Sequence, residues 1–262
     1  MESSRVSLIS GLLVAALLVP AAAWADTDTL VYLQKEEIAY VGELSAAANK
    51  QVIEVYERAD PKPKWLAIRS GGGEIGVGMA LGEWIADHNL GVRVLEYCLS
   101  SCANYVFTAA HKRVVSNFAV IGYHGGANSA TFANELPPSA SSEERLASSD
   151  ALDAYIAKVA PREHLFFDKL GINPRIVLLG QFPEVEKVMG VDSRSDVACW
   201  TYSLTGFHLL GIDNIEVVNG PWVPKLLSGK EISIQLGDAV VKENLRTPLP
   251  TRVHTAEIAT GH

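Results

Sequence analysis

A glycine triplet, a serine ahead of a helix and a histidine at a strand end all fall within one stretch, Ser70 to Gly126. Gly71-Gly72-Gly73 follows the apolar run Trp65-Leu66-Ala67-Ile68. The serine lies in Cys98-Leu99-Ser100-Ser101-Cys102, and His124 closes the run Ala119-Val120-Ile121-Gly122-Tyr123 ahead of Gly125 and Gly126. Acyl transfer needs these parts. A hydroxyl becomes a nucleophile only beside a base, and the oxyanion it generates needs fixed N–H donors. A glycine turn exposes backbone N–H groups, and a helix start adds unpaired N–H groups and a favourable dipole. Each part also has a plainer use. A serine before a helix is a common N-cap, three glycines make a tight turn, and His88, His111, His164, His208, His254 and His262 read as structural. Metal and nucleotide chemistry find no support: there is no His-x-x-x-His, no Cys-x-x-Cys and no paired acidic cluster. Nor does a Lys-Ser/Thr follow Gly73, as a P-loop requires.

Bringing these groups into one crevice requires neighbouring parallel strands, and the chain alternates accordingly. Residues 30–33 and 38–41 read as a hairpin around Lys35-Glu36-Glu37. A helix over 46–59 follows, with Val52, Ile53, Val55 and Tyr56 at helical spacing, until Asp60-Pro61-Lys62-Pro63 stops it. Strands over 65–68, 92–95 and 119–123 enclose helices beginning near Ile75 and Ala103. Strand–helix–strand order predicts an α/β fold with parallel pairing and right-handed crossovers, and ligands bind beyond the carboxyl ends of such strands. Residues 128–149, rich in Ser, Ala and Pro, read as a surface loop over the cleft. A helix from 142 to about 159 is expected next. Pro161 suits the first turn of a further helix to Leu170, which Gly171-Ile172-Asn173-Pro174 caps. Asp192 to Asp196 form a polar loop, and Ile232 to Leu236 form an added strand. Residues 247–262 read as loosely ordered.

The first residues read as a targeting segment. Arg5 precedes an apolar region, 6–19, shorter than the ~20 residues that span a bilayer. Ala23-Trp24-Ala25 then predicts cleavage before Asp26. The expected organisation is a signal peptide (1–25), a domain (26–219) and a C-terminal extension (220–262), in the periplasm or secreted, with no membrane span after cleavage. The chain of 262 residues is long enough for one well-buried core. Its net charge of −8, with no basic cluster, argues against a nucleic-acid partner.

The motifs resemble the proteolytic subunit of Clp protease and the wider Clp/crotonase-like superfamily. They do so through Ser-Gly-Gly-Gly after a strand, Ser-Ser-Cys-Ala-Asn-Tyr-Val-Phe-Thr-Ala-Ala, and a strand ending Gly-Tyr-His. The likeness covers roughly 38–217 and is closer still to a periplasmic branch with a Cys-x-Ser-x-Cys-like nucleophile turn. It implies a fold of repeated β-β-α units with a mostly parallel sheet and outer helices. It further implies Ser101 as nucleophile, His124 as base, and the N–H groups of Gly73 and Cys102 as oxyanion donors. The family's triad also needs an aspartate to orient the histidine. The family's spacing lands near Cys199, which is no carboxylate. Asp196 is taken as the third member, with Asp192 or none as alternatives and Asp168 less well placed.

The three cysteines are an odd number, which in an oxidising compartment gives one bridge and one leftover thiol. Cys98 with Cys102 is the preferred pair because it would clamp the turn carrying Ser101. A role for Cys199 as partner stays open, as does a pair of buried, unbridged cysteines. A Cys102 thiol nucleophile is set aside because the resemblance puts Ser101 at the attacking position.

The function so implied is an exported serine hydrolase, a peptidase on short or unfolded peptides or proteins, without cofactor or ATPase partner. It is expected to assemble as a homo-oligomer through 151–179, where Phe166, Phe167, Ile176, Val177 and Leu178 are apolar. The alternative is a non-catalytic Clp-like binding or scaffold protein. Crotonase chemistry on acyl-CoA is disfavoured by export, since coenzyme A is cytoplasmic.

Overall fold

The computed structural model describes residues 29–127, 129, 142–182, 185, 197–225 and 232–248. The expected signal peptide, Asp192, Asp196, most of the 128–149 loop and the last residues of the chain lie outside these.

Strands β1 (Leu30–Gln34) and β2 (Glu37–Val41) form an antiparallel hairpin. Its turn puts Lys35 at φ 57°. Ser45 caps α1 (Ala46–Arg58), its side chain accepting the Ala48 N–H. Then come β3 (Trp65–Ser70), α2 (Ile75–Asp87) and β4 (Gly91–Leu99). A π-helix (Cys102–Phe107) leads to β5 (Arg113–Ser116) and β6 (Val120–Gly122). After α3 (Ser142–Leu170) and two 3-10 turns, the chain continues through β7 (Val197–Tyr202), α4 (Leu204–Leu209) and β8 (Ile215–Val218). It closes with β9 (Ile232–Leu236) and α5 (Asp238–Asn244).

The main sheet runs β1-β2-β3-β4-β5-β8, with β6 also pairing to β4. All its pairs beyond the β1–β2 hairpin are parallel. The α/β class with a mostly parallel sheet and packed helices is therefore as expected. The β-β-α order occurs at β1-β2-α1 and β5-β6-α3, whereas β3 and β4 each lead directly into a helix. In the 220–262 segment, β9 pairs in parallel with β7 as a separate two-stranded sheet.

Several elements depart from the sequence expectation. Strand β5 was not expected, because Arg113 and Ser116 flank only Val114 and Val115, yet all four are buried. Buried polar residues erase the alternation that marks a strand. Residues 197–202, to which the sequence assigns no element, form a strand.

Pro161 does not start a new helix; α3 runs through it to Leu170. A proline inside a helix costs about 3 kcal/mol. Burial of Phe166 and Phe167 just beyond it, at about 1.5–3 kcal/mol each, offsets that cost. Those two residues, with Ile176, Val177 and Leu178, are buried in the chain's own core. They therefore offer no surface for the oligomer contact expected of them.

Candidate active site

Two registers place the site. Ser70 of β3 pairs with Cys98 of β4, and Leu99 of β4 pairs with Gly122 of β6. The β3–β4 register shifts between Ile68 and Ser70. Nearby, β4 changes partner from β5 (Val92 to Val94) to β6 (Tyr97 to Leu99). Such irregularities bend a strand and re-aim its end. Ser101 and His124 each lie two residues beyond the Leu99–Gly122 pair, just past the ends of these adjoining parallel strands.

The nucleophile turn is tightly made. Ser100 sits at φ 55°, a left-handed conformation costly for a non-glycine residue. Its N–H donates to the Gly122 carbonyl at 2.8 Å and its own carbonyl accepts from Asn104 at 2.8 Å. A disulfide joins Cys98 to Cys102 across the turn, with Cα atoms 5.2 Å apart, inside the range that a bridge requires. Cys199 is buried and unbridged. It packs with Leu99, whose side chain points to the opposite face of β4 from its neighbour Cys98.

The glycine turn presses against this loop. Gly72 has φ 104°, and a Cβ there would lie 2.6 Å from Ser100 Cβ and 2.8 Å from the Leu99 carbonyl oxygen. Only glycine allows that approach. The Gly72 carbonyl accepts the Leu44 N–H at 2.7 Å. Because the peptide is planar and trans, the Gly73 N–H points the other way, away from Leu44. Among the described residues neither the Gly73 N–H nor the Cys102 N–H has a hydrogen-bond acceptor.

Ser101 does not cap the helix that follows it. Its hydroxyl donates instead to the Gly73 carbonyl at 2.7 Å, and the residue is 2% exposed. No hydrogen bond joins it to His124 in this arrangement. His124 keeps an exposed edge, but the protein crowding its ring depresses its pKa below the ordinary 6.5, desolvation being the main cause. Only burial and the residue's own backbone move that titration, so no described carboxylate sits on the ring. Asp168 is exposed on α3, and Asp192 and Asp196 lie outside the described residues.

Three side chains that sequence reasoning did not single out hold the histidine's turn. Gln181 Nε2 donates to the His124 carbonyl at 2.9 Å, and Asn104 Nδ2 to the Gly125 carbonyl at 2.7 Å. The carboxylate of Glu163 accepts the Ala127 N–H at 2.9 Å. Glu163 had one legible signal. With Val159 four residues before it and Phe166 and Phe167 three and four after, it lies on the stripe of α3 that is buried.

No protein-family model matches the chain, and no curated protein matches it.

Proposed function

We propose that the chain is an exported Clp-like serine hydrolase, a peptidase acting on short or unfolded peptides, with Ser101 and His124 as its reacting pair. The observation that carries this is the Leu99–Gly122 register, which supports the pairing by setting side by side the ends of the two strands that lead to Ser101 and His124. The Gly73 and Cys102 N–H groups, without acceptors among the described residues, support the oxyanion role. The sheet supports the finer fold reading as well, with Clp/crotonase-like β-β-α units modified at β3 and β4.

In the first step substrate binding frees the Ser101 hydroxyl from the Gly73 carbonyl. Its oxygen then attacks the scissile carbonyl while its proton passes to His124. The Gly73 and Cys102 N–H groups hold the oxyanion. The tetrahedral species collapses, His124 protonates the leaving amine, and an ester remains on Ser101. In the second step water attacks that ester, His124 again takes the proton, and collapse returns the hydroxyl and releases the acid. Depressed by burial, His124 is neutral at pH 7 and able to act as base. Asp196 is the carboxylate assigned to steady the imidazolium.

The Cys98–Cys102 bridge supports location in the periplasm or outside the cell, where disulfides persist. Among the described residues no helix is long and apolar enough to cross a membrane.

A second reading, a non-catalytic Clp-like binding or scaffold protein, draws on the same turn. Ser101 is almost wholly buried with its hydroxyl on a carbonyl, an arrangement that a purely structural serine also satisfies. Turnover of a quenched-fluorescent casein separates the two. The hydrolase reading expects turnover that Ser101→Ala abolishes. Binding without turnover, equal in wild type and Ser101→Ala, selects the second.

A further inference from the structure

We infer that Glu163 is a positioning residue for the Ser101–His124 pair: its buried carboxylate ties the helix that carries the serine to the turn that carries the histidine. Glu163 is 2% exposed on α3. Its Oε1 accepts the Tyr105 hydroxyl at 2.5 Å and the Ala127 N–H at 2.9 Å. Tyr105 lies four residues after Ser101, within the π-helix, and Ala127 three residues after His124. One oxygen thus receives a donor from each half of the site.

The turn is shaped to reach it. A Cβ on Gly126 would lie 2.6 Å from Glu163 Oε1, so any larger residue would push turn and carboxylate apart. Burying a carboxylate is expensive unless strong hydrogen bonds replace its water. A leucine would fill the same stripe of α3 more cheaply, so packing alone does not account for the glutamate. Bonds to an ionised acceptor are shorter and stronger than neutral ones. Burial, and then Glu163 itself, push the Tyr105 phenol well above its ordinary pKa, which keeps it a donor. The π-helix places Asn104 and Tyr105 so that both reach the turn, one at Gly125 directly and the other through Glu163. Single π-turns of this kind are common at functional sites.

The consequence for rate rests on the hydrolase reading, whereas the coupling between helix and turn does not, and the test separates them. Glu163→Met keeps volume and removes the acceptor. Glu163→Gln keeps an acceptor oxygen at the same reach, and Tyr105→Phe removes one hydroxyl. Two readouts are taken on the full mature chain: the rate of fluorophosphonate labelling at Ser101 and the NMR titration of His124. In Glu163→Met, labelling should slow on the order of 10²-fold, the effect of small misplacements at a reacting centre, with little change in the half-saturating probe concentration. The His124 midpoint should rise toward 6.5 as the loosened turn admits water. Glu163→Gln should stay near wild type in both, and Tyr105→Phe should fall between. An unmoved His124 titration in folded Glu163→Met overturns the proposal in every case, and an unmoved labelling rate does so wherever the wild type labels. If the wild type does not label, the hydrolase reading fails and the His124 titration alone decides the coupling. If Glu163→Met does not fold, Tyr105→Phe is judged by the same two criteria.

Discussion

In the proposed reaction the Ser101 hydroxyl must leave the Gly73 carbonyl, by rotation between staggered side-chain wells, before its proton can pass to His124. The histidine must then be neutral. Its pKa is drawn below 6.5 by burial, so the acid limb of kcat/KM against pH should lie below 6.5, and hydrolysis should persist at pH values where free imidazole is largely protonated. A limb at or above 6.5 contradicts this. The same depression has a sign for stability. As pH falls from 6.5 toward the lower folded value, the unfolded chain binds its proton first, so stability declines over that window and rises again with pH. At this scale the position of the serine, histidine and glycines just past strand ends was legible because each follows an apolar run that stops abruptly. Glu163 was not, because a glutamate in a helix reads by default as a solvated charge, and its burial becomes plain only when α3 is seen against the π-helix.

Among the elements, the long apolar-periodic helices α1 and α2 and the strands β2, β3 and β4 were readable from pattern alone. The π-helix was read as an ordinary helix. All six of its residues are buried, which leaves no polar face from which to judge its period. Strand β5 was hidden by Arg113, whose guanidinium donates to the Phe107, Thr108 and Asp213 carbonyls at 2.9, 2.6 and 2.7 Å. Two of those carbonyls end the helix that begins at Ser101, where a cation is favourable. Burial draws this arginine down to about 10, still charged at neutral pH. A lysine lacks the fork that serves three acceptors. Arg113→Lys should therefore lose about 1.5–3 kcal/mol, seen as a lower urea midpoint at unchanged slope; an unchanged midpoint contradicts the capping role. The Cys98–Cys102 bridge closes a very short loop, for which chain entropy gives about 2 kcal/mol. The Cys98→Ser/Cys102→Ser double variant should lose about that much. A loss near zero would mean that the turn is held by Ser100, Gly72 and Gly122 without the bridge.

For the whole molecule, a mostly parallel sheet collects its strand ends on one side, and Ser101, His124 and the glycine turn gather there. An oligomer through 151–179 has lost its apolar motive, since the residues nominated for it face inward; Leu165, 66% exposed on α3, is left outward in that segment. Export should be visible in the mature chain, whose intact mass is expected to correspond to a start at Asp26; a mass that retains Met1 or Arg5 contradicts it. The most direct test of the proposed chemistry is intact-mass detection of a fluorophosphonate adduct on the purified mature protein. One adduct should form, mapping to Ser101. It should be absent in Ser101→Ala and slowed by several orders of magnitude in His124→Ala. Asp196→Asn should slow it far less, and not at all if Asp192 or no carboxylate orients the ring. No adduct on folded wild-type protein, or an adduct that persists undiminished in Ser101→Ala, would contradict the assignment of Ser101 and His124 as the reacting pair.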